Sequence, residues 1–214
     1  MKKVSIIDYG LSNLLSVEHA FRYCGVEEEI INTPEKVKAA EVLVLPGVGA
    51  FEDGMKGLDA HKMIEVLTES VQNGTPLLGI CLGMQLLFEE SEEFGKHKGL
   101  NFIPGKVKQI PKSDIYGKAQ KVPHISWNPL FPSDAKSFKE TILEDINEGE
   151  ECYFIHSFEA IPDNQENRLA DTIYGGRRVC AVAYNNHVYG TQFHPEKSGK
   201  VGLRIINRFV RMYC

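Results

Sequence analysis

The sequence lacks the marks of several large protein classes. Its 214 residues contain no Cys-x-x-Cys pair, so no metal site and in particular no structural zinc is expected. The five cysteines, Cys24, Cys81, Cys152, Cys180 and Cys214, are odd in number and scattered, unlike a disulfide framework. No apolar stretch approaches the ~20 residues that a membrane span needs. There is no basic stripe or Lys/Arg run, and the formal net charge is −5, so a nucleic-acid role has no electrostatic support. The opening Met1-Lys2-Lys3-Val4-Ser5-Ile6-Ile7-Asp8 meets Asp8 too early for a signal peptide, and a cytoplasmic location is expected. Without a secretion signal, Asn73-Gly74-Thr75 reads as a turn closing a helix rather than a glycosylation acceptor. There is no repeat, linker or low-complexity run. What remains is 43% hydrophobic and 25% charged, which excludes disorder, collagen-like repeats and a coiled coil. The length fits one domain over residues 1–214.

The first half alternates between strand-like and helix-like segments. Lys3–Ile7, Glu29–Ile31, Glu41–Leu45 and Pro76–Ile80 read as strands, the last two as continuous apolar runs buried on both faces. Between them, Ser12–Cys24 predicts a helix with Ser12 as its cap and Gly25 as its stop. Thr33-Pro34-Glu35 opens a short second helix. Met55, Leu58, Met63, Val66 and Leu67 have helical spacing within Met55–Asn73, and Leu82–Glu90 predicts a further helix. Such alternation points to an α/β fold with a doubly wound, mostly parallel sheet flanked by helices. From about Lys106 the segments shorten. Lys106–Ile110, Ala119–Pro123, Glu151–Phe158, Arg168–Ile173, Val179–Tyr184 and Val188–Phe193 read as strands of a smaller mixed or antiparallel region, before a final helix over Gly199–Met212.

Gly79-Ile80-Cys81-Leu82-Gly83 lies where a buried strand meets a helix. This is the Gly-x-nucleophile-x-Gly elbow with cysteine as nucleophile; the turn is so sharp that side chains two positions either side would clash. The elbow places Cys81 at the carboxyl edge of the sheet and at a helix N-terminus, which favours thiolate. A lone cysteine is more often inert core, and the two glycines count against that reading. His194, in Gln192-Phe193-His194-Pro195-Glu196, supplies a candidate base, and Glu196 could bond its far ring nitrogen. His-x-Glu without a Pro-Cys-x-x-Cys partner does not fit a zinc deaminase. Pro46-Gly47-Val48-Gly49 follows a strand, but Glu52 stands where a dinucleotide fingerprint needs its third glycine. Its backbone amides, with that of Leu82, suit an oxyanion instead.

Together these motifs resemble the class I (triad) glutamine amidotransferases, and within them the glutaminase subunits of imidazole glycerol phosphate synthases. The likeness runs along nearly the whole chain. It includes Ile7-Asp8-Tyr9-Gly10 with Asn13, Leu45–Phe51, Gly79–Gln85, Val122-Pro123-His124, Trp127-Asn128, Tyr153–Ser157 and Gln192–Ser198. The resemblance implies that Cys81 attacks the side-chain amide of L-glutamine, with His194 and Glu196 completing the triad and the Val48 and Leu82 amides holding the oxyanion, the former after a peptide rearrangement. It further implies glutamine binding by Gly47, Gly49, Gln85, His156, Ser157 and Phe158, and no cofactor. One helical turn separates Gln85 from Cys81, which puts both on one face.

The resemblance also implies a heterodimer with a (β/α)₈-barrel cyclase or synthase, which receives the ammonia through a sheltered path. The products would be imidazole glycerol phosphate and AICAR, in histidine biosynthesis. Asn13, Pro123, His124, Trp127, Asn128 and Lys197 are the expected interface. Trp127, the only tryptophan, suits a docking anchor. Two departures fall near that interface: Ser126 stands where the family usually has glycine, and Phe94–Gln120 is longer. They leave open a paralogous subunit that supplies ammonia to a sugar-aminating synthase of surface polysaccharides. A γ-glutamyl peptidase of the same superfamily and a catalytically idle docking module are the rivals from other classes; the Pro-Gly-Val-Gly loop with Gln85, and the intact triad, count against them.

Overall fold

A computed structural model describes residues 3–11, 13–134 and 136–214. The first half runs β1 (Val4–Ile7), α1 (Leu14–Tyr23), β2 (Glu28–Ile31), α2 (Pro34–Ala39) and β3 (Val42–Gly47), then α3 (Phe51–Ala60), α4 (Met63–Gln72), β4 (Leu77–Cys81) and α5 (Leu82–Leu86). Strands dominate the second half: β5 (Phe88–Ser91), β6 (His97–Lys98), β7 (Ile103–Gln109), β8 (His124–Pro129), β9 (Phe131–Pro132), β10 (Glu151–His156) and β11 (Phe158–Pro162). After them come β12 (Arg168–Tyr174), β13 (Arg177–Asn185), β14 (Val188–Thr191) and the closing helix α6 (Gly199–Tyr213).

The main sheet has the order β2-β1-β3-β4-β14-β13-β12-β9. It is parallel from β2 through β14 and antiparallel from there to β9. A pair β10-β8 and a four-stranded sheet β11-β7-β5-β6 stand beside it. The central strands are buried on both faces, and alternate residues feed two cores. Val42, Val44, Leu78 and Ile80 join the core under α1 and α6, where Phe21 and Phe209 lie. Leu43, Leu45 and Leu77 join the core under α3 to α5, with Phe51 and Leu58. Among the described residues no helix is long and apolar enough to cross a membrane.

Several boundaries differ from the sequence expectation, each for a physical reason. Ser12, the expected cap of α1, lies outside the described residues, and Asn13 precedes the helix without a side-chain cap. Met55–Asn73 is two helices rather than one, because Lys62 turns left-handed at φ 56°. The first of them starts early, at Phe51, whose amide donates to the distant Glu93 carboxylate at 2.7 Å. That long-range cap has no local signal. Leu82–Glu90 is helical only to Leu86; Phe88–Ser91 is drawn into β5 by pairing with β7, a tertiary preference that overrides helix periodicity. Ala119–Pro123 forms a single bridge, Ser113 to Ala119, and the strand proper begins at His124, after proline. Glu151–Phe158 breaks at Ser157, because β10 and β11 belong to different sheets. The turn at Gly74, with φ 93°, closes α4 as expected.

Candidate active site

Sheet register assembles the site. Thr191 on β14 pairs with Ile80 on β4, so the residues that follow both strands leave the sheet side by side. On the other flank Gly47 pairs with Cys81. The carboxyl edge of the sheet thus gathers Cys81, the Val48–Gly49 loop and the His194–Glu196 turn from three distant parts of the chain.

Cys81 has φ 55° and ψ −108°, a conformation strained for any residue with a Cβ. The flanking glycines permit it. A Cβ on Gly79 would sit 2.7 Å from the Gly83 carbonyl oxygen, and one on Gly83 would sit 1.7 Å from the Leu45 carbonyl oxygen. The helix that follows has only five residues, so its dipole contributes less than the sequence pattern implied. More direct is His194, buried at 3% exposure. Its Nδ1 lies 2.7 Å from Glu196 Oε1. A carboxylate oxygen only accepts, so Nδ1 carries the proton and Nε2 is left for the sulfur. Burial alone would lower the His194 pKa; hydrogen bonds with Cys81 and Glu196 outweigh it and raise it to about 10.

A cavity of about 300 Å³ opens over the sulfur. Val48, Gly49, Leu82, Gln85, Pro123, His156, Ser157 and Phe158 line it together with Cys81 and His194. Gln85 Nε2 donates to the Phe158 carbonyl at 3.1 Å and to Gln192 Oε1 at 3.0 Å, fixing the amide at the cavity wall. Three useful residues escaped the sequence reading. Glu93 also lines the cavity, with burial pushing its carboxyl up and the Phe51 N–H pulling it down. Gln192 holds Gln85, and its Nε2 lies 3.9 Å from the Cys81 sulfur. Ser198 Oγ donates to the His194 carbonyl at 2.6 Å and accepts from the Tyr153 amide at 3.0 Å, which fixes the turn carrying His194. Gln192 and Ser198 lay within a quoted motif; Glu93 had no local signal.

Two expectations, Gly47 at the cavity and His124 at the interface, need correction. The Val48 amide donates to the Leu11 carbonyl at 2.9 Å, so it would reach an oxyanion only after the expected peptide rearrangement. Gly47 does not line the cavity: it is strand interior, and a Cβ there would meet the Tyr9 hydroxyl at 2.3 Å. His124 is fully buried, at 0% exposure, so it cannot be touched by a docking partner. Asn128, half-buried on the same strand as Trp127, donates its Nδ2 to the Ile173 carbonyl at 2.9 Å. The other expected interface residues suit contact better. Pro123 and Lys197 are exposed, Trp127 is 50% exposed, and Asn13 is half-buried beside Ser16.

The chain matches the family model "Glutamine amidotransferase class-I" over residues 5–212. It belongs to the class I glutamine amidotransferases. A Legionella pneumophila (strain Paris) relative, imidazole glycerol phosphate synthase subunit HisH 1, is 49% identical over 99% of this chain and 100% of its own length. The HisH subunit of Syntrophotalea carbinolica is 45% identical over 96% of this chain and 98% of its own. Among solved structures, PurLQS from Thermotoga maritima aligns with TM-score 0.73 at 20% identity, covering 99% of both chains. A second, titled as a glutamine amidotransferase, gives 0.71 at 17%, covering 98% of each. At that identity the likeness is of fold: this amidotransferase has the α/β architecture of its class. It is a glutamine amidotransferase enzyme, and the cleft above the elbow is its candidate glutamine site.

Proposed function

We propose that the chain is the glutaminase subunit of an imidazole glycerol phosphate synthase. It hydrolyses L-glutamine and passes ammonia to a (β/α)₈-barrel cyclase subunit in histidine biosynthesis. The observation that carries this reading is the meeting of the elbow Cys81 with the buried His194–Glu196 pair at the floor of a cavity walled by Gln85. Full-length identity to HisH subunits supports the pathway.

Glutamine enters with its carboxamide over the sulfur. Glu93, a buried acid at the wall, suits the substrate's α-ammonium, and the Gln85 amide with the Ser157–Phe158 backbone suits its polar head. Cys81 Sγ passes its proton to His194 and attacks the carboxamide carbon, and charge builds on the oxygen. The Leu82 amide, next along the chain, is one donor; Val48 becomes the second once its peptide rotates away from Leu11. His194 gives its proton to the departing nitrogen, ammonia leaves, and a thioester remains. His194 then takes a proton from water, which attacks the thioester; glutamate departs and the thiol returns. Ammonia that meets bulk water at neutral pH becomes ammonium and loses its nucleophilicity, so transfer needs a docked acceptor.

Ile125 and Trp127 stand 53% and 50% exposed on β8, with Pro123 at the cavity mouth, and form the proposed docking face. Isolated chain is expected to hydrolyse glutamine slowly, with turnover rising at least tenfold when the barrel subunit is added. Trp127→Ala should weaken that complex by about 2 kcal/mol or more in a titration of activity against barrel concentration. High turnover without the barrel, or unchanged affinity in the variant, contradicts the reading.

The acid role of His194 sets a pH signature. Its pKa stands near 10, so the imidazolium persists across neutral pH and is lost as pH rises through that value. The alkaline limb of kcat/KM, which reports the free enzyme, should therefore lie near pH 10. Glu196→Gln removes one of the two groups that raise the value, and should move that limb to lower pH. A limb that stays in place contradicts this assignment.

A further inference from the structure

One hydrogen-bonded thread leaves the glutamine cavity through buried histidines and surfaces on the proposed docking strand. The Phe158 carbonyl, which accepts from Gln85, also lies 2.8 Å from His156 Nδ1. His156 Nε2 lies 3.0 Å from His124 Nδ1. His124 Nε2 lies 3.0 Å from both Ser126 Oγ and Asn128 Oδ1, and those two oxygens also bond one another. The His124 ring is stacked between Phe154 at 5.2 Å and Tyr174 at 4.0 Å, so it has one seat.

Proton counting assigns the roles. The Phe158 carbonyl can only accept, so His156 carries its proton on Nδ1. Burial pushes the pKa of His156 down to about 3 and holds that of His124 below the usual range, so both rings are neutral at pH 7. His156 Nε2 is then an acceptor, and His124 Nδ1 must donate to it. That leaves His124 Nε2 as an acceptor facing two oxygens. Asn128 Oδ1 cannot donate, because the amide is turned so that Nδ2 serves Ile173. The Ser126 hydroxyl, which donates to Asn128 Oδ1, holds the only proton here that His124 Nε2 could accept, so the two acceptors share it.

We propose that Ser126, His124 and His156 are positioning residues: a relay, ended by the Ser126 hydroxyl, that holds the Phe158 carbonyl and the glutamine-binding wall in register with the strand carrying Trp127. None of the three touches the reacting atoms. Their effect reaches glutamine through the Phe158 carbonyl, Gln85 and Gln192. The enzymatic arm below rests on the glutaminase reading; the spectroscopic arm does not.

The test uses the full chain with its barrel partner, glutamine as substrate, and Ser126→Ala, His124→Leu and His124→Asn. Leucine removes the donor at Nδ1, whereas the asparagine amide can still donate to His156. The expected result is a KM for glutamine raised at least tenfold in His124→Leu with kcat held within about threefold, recovered in His124→Asn, and raised severalfold in Ser126→Ala. In parallel, long-range nitrogen–proton spectra of the imidazoles in the unaltered chain should show both rings neutral and protonated on Nδ1, with the His124 pattern altered in Ser126→Ala. The proposal is overturned if His124 carries its proton on Nε2, if His124→Leu leaves KM unchanged, or if kcat falls with KM intact. Should the unaltered complex release no ammonia from glutamine, the glutaminase reading fails, and the ring spectra alone decide the relay.

Discussion

Cys81→Ala lowers glutamine hydrolysis by about 10³-fold or more, because without the sulfur no thioester forms and the split of one hard step into two is lost. This substitution separates chemistry from folding. Alanine keeps the Cβ that makes φ 55° costly, so the strain at the elbow is unchanged, and the lost sulfur lined a cavity that is already present. The melting temperature should stay within a few degrees. Complex formation with the barrel subunit should persist, as should synthesis driven by added ammonium salt. Ammonia release from glutamine, followed by a coupled glutamate assay, is the readout. Turnover near that of the unaltered complex would remove Cys81 from the mechanism.

Gly83→Ala acts on the fold itself. The new Cβ would lie 1.7 Å from the Leu45 carbonyl oxygen and 2.8 Å from its carbon, both backbone atoms of a central strand. Neither can rotate aside, so β3 and α5 must separate where the site is built. We expect a loss of at least about 3 kcal/mol, a large share of the ~5–15 kcal/mol that holds a typical domain together. Gly149→Ala gives the contrast. That glycine has φ 86° but nothing within 4 Å of the added atom, so only the conformational cost of about 1 kcal/mol applies. Urea midpoints of the two variants should differ accordingly; equal midpoints would mean that the elbow glycine is not a packing requirement.

Much of this was legible in the chain. The apolar runs around Leu43 and Leu78 announce strands buried on both faces, and the glycines at 79 and 83 announce the elbow. His-Pro-Glu places a carboxylate within reach of its own histidine because two residues span that distance in one turn. What failed was whatever depended on a distant partner. Phe88–Ser91 is a strand only because β7 lies alongside, and α3 begins at Phe51 only because Glu93 reaches its amide from 42 residues away. The resemblance places His124 at the interface because it shares a motif with Pro123 and Trp127, which are exposed. Strand alternation turns it the other way, into the stack between Phe154 and Tyr174. The Val48 amide could not be placed from sequence, since a single peptide rotation decides whether it faces Leu11 or the cavity.

In the proposed function, the ammonia made here reaches a docked acceptor rather than the solvent. The complex, supplied with amide-labelled ¹⁵N-glutamine in the presence of excess unlabelled ammonium, tests it directly by mass spectrometry of the aminated product. The transferred nitrogen should be ¹⁵N. Product carrying unlabelled nitrogen from solution, while labelled ammonia accumulates in the medium, would contradict it.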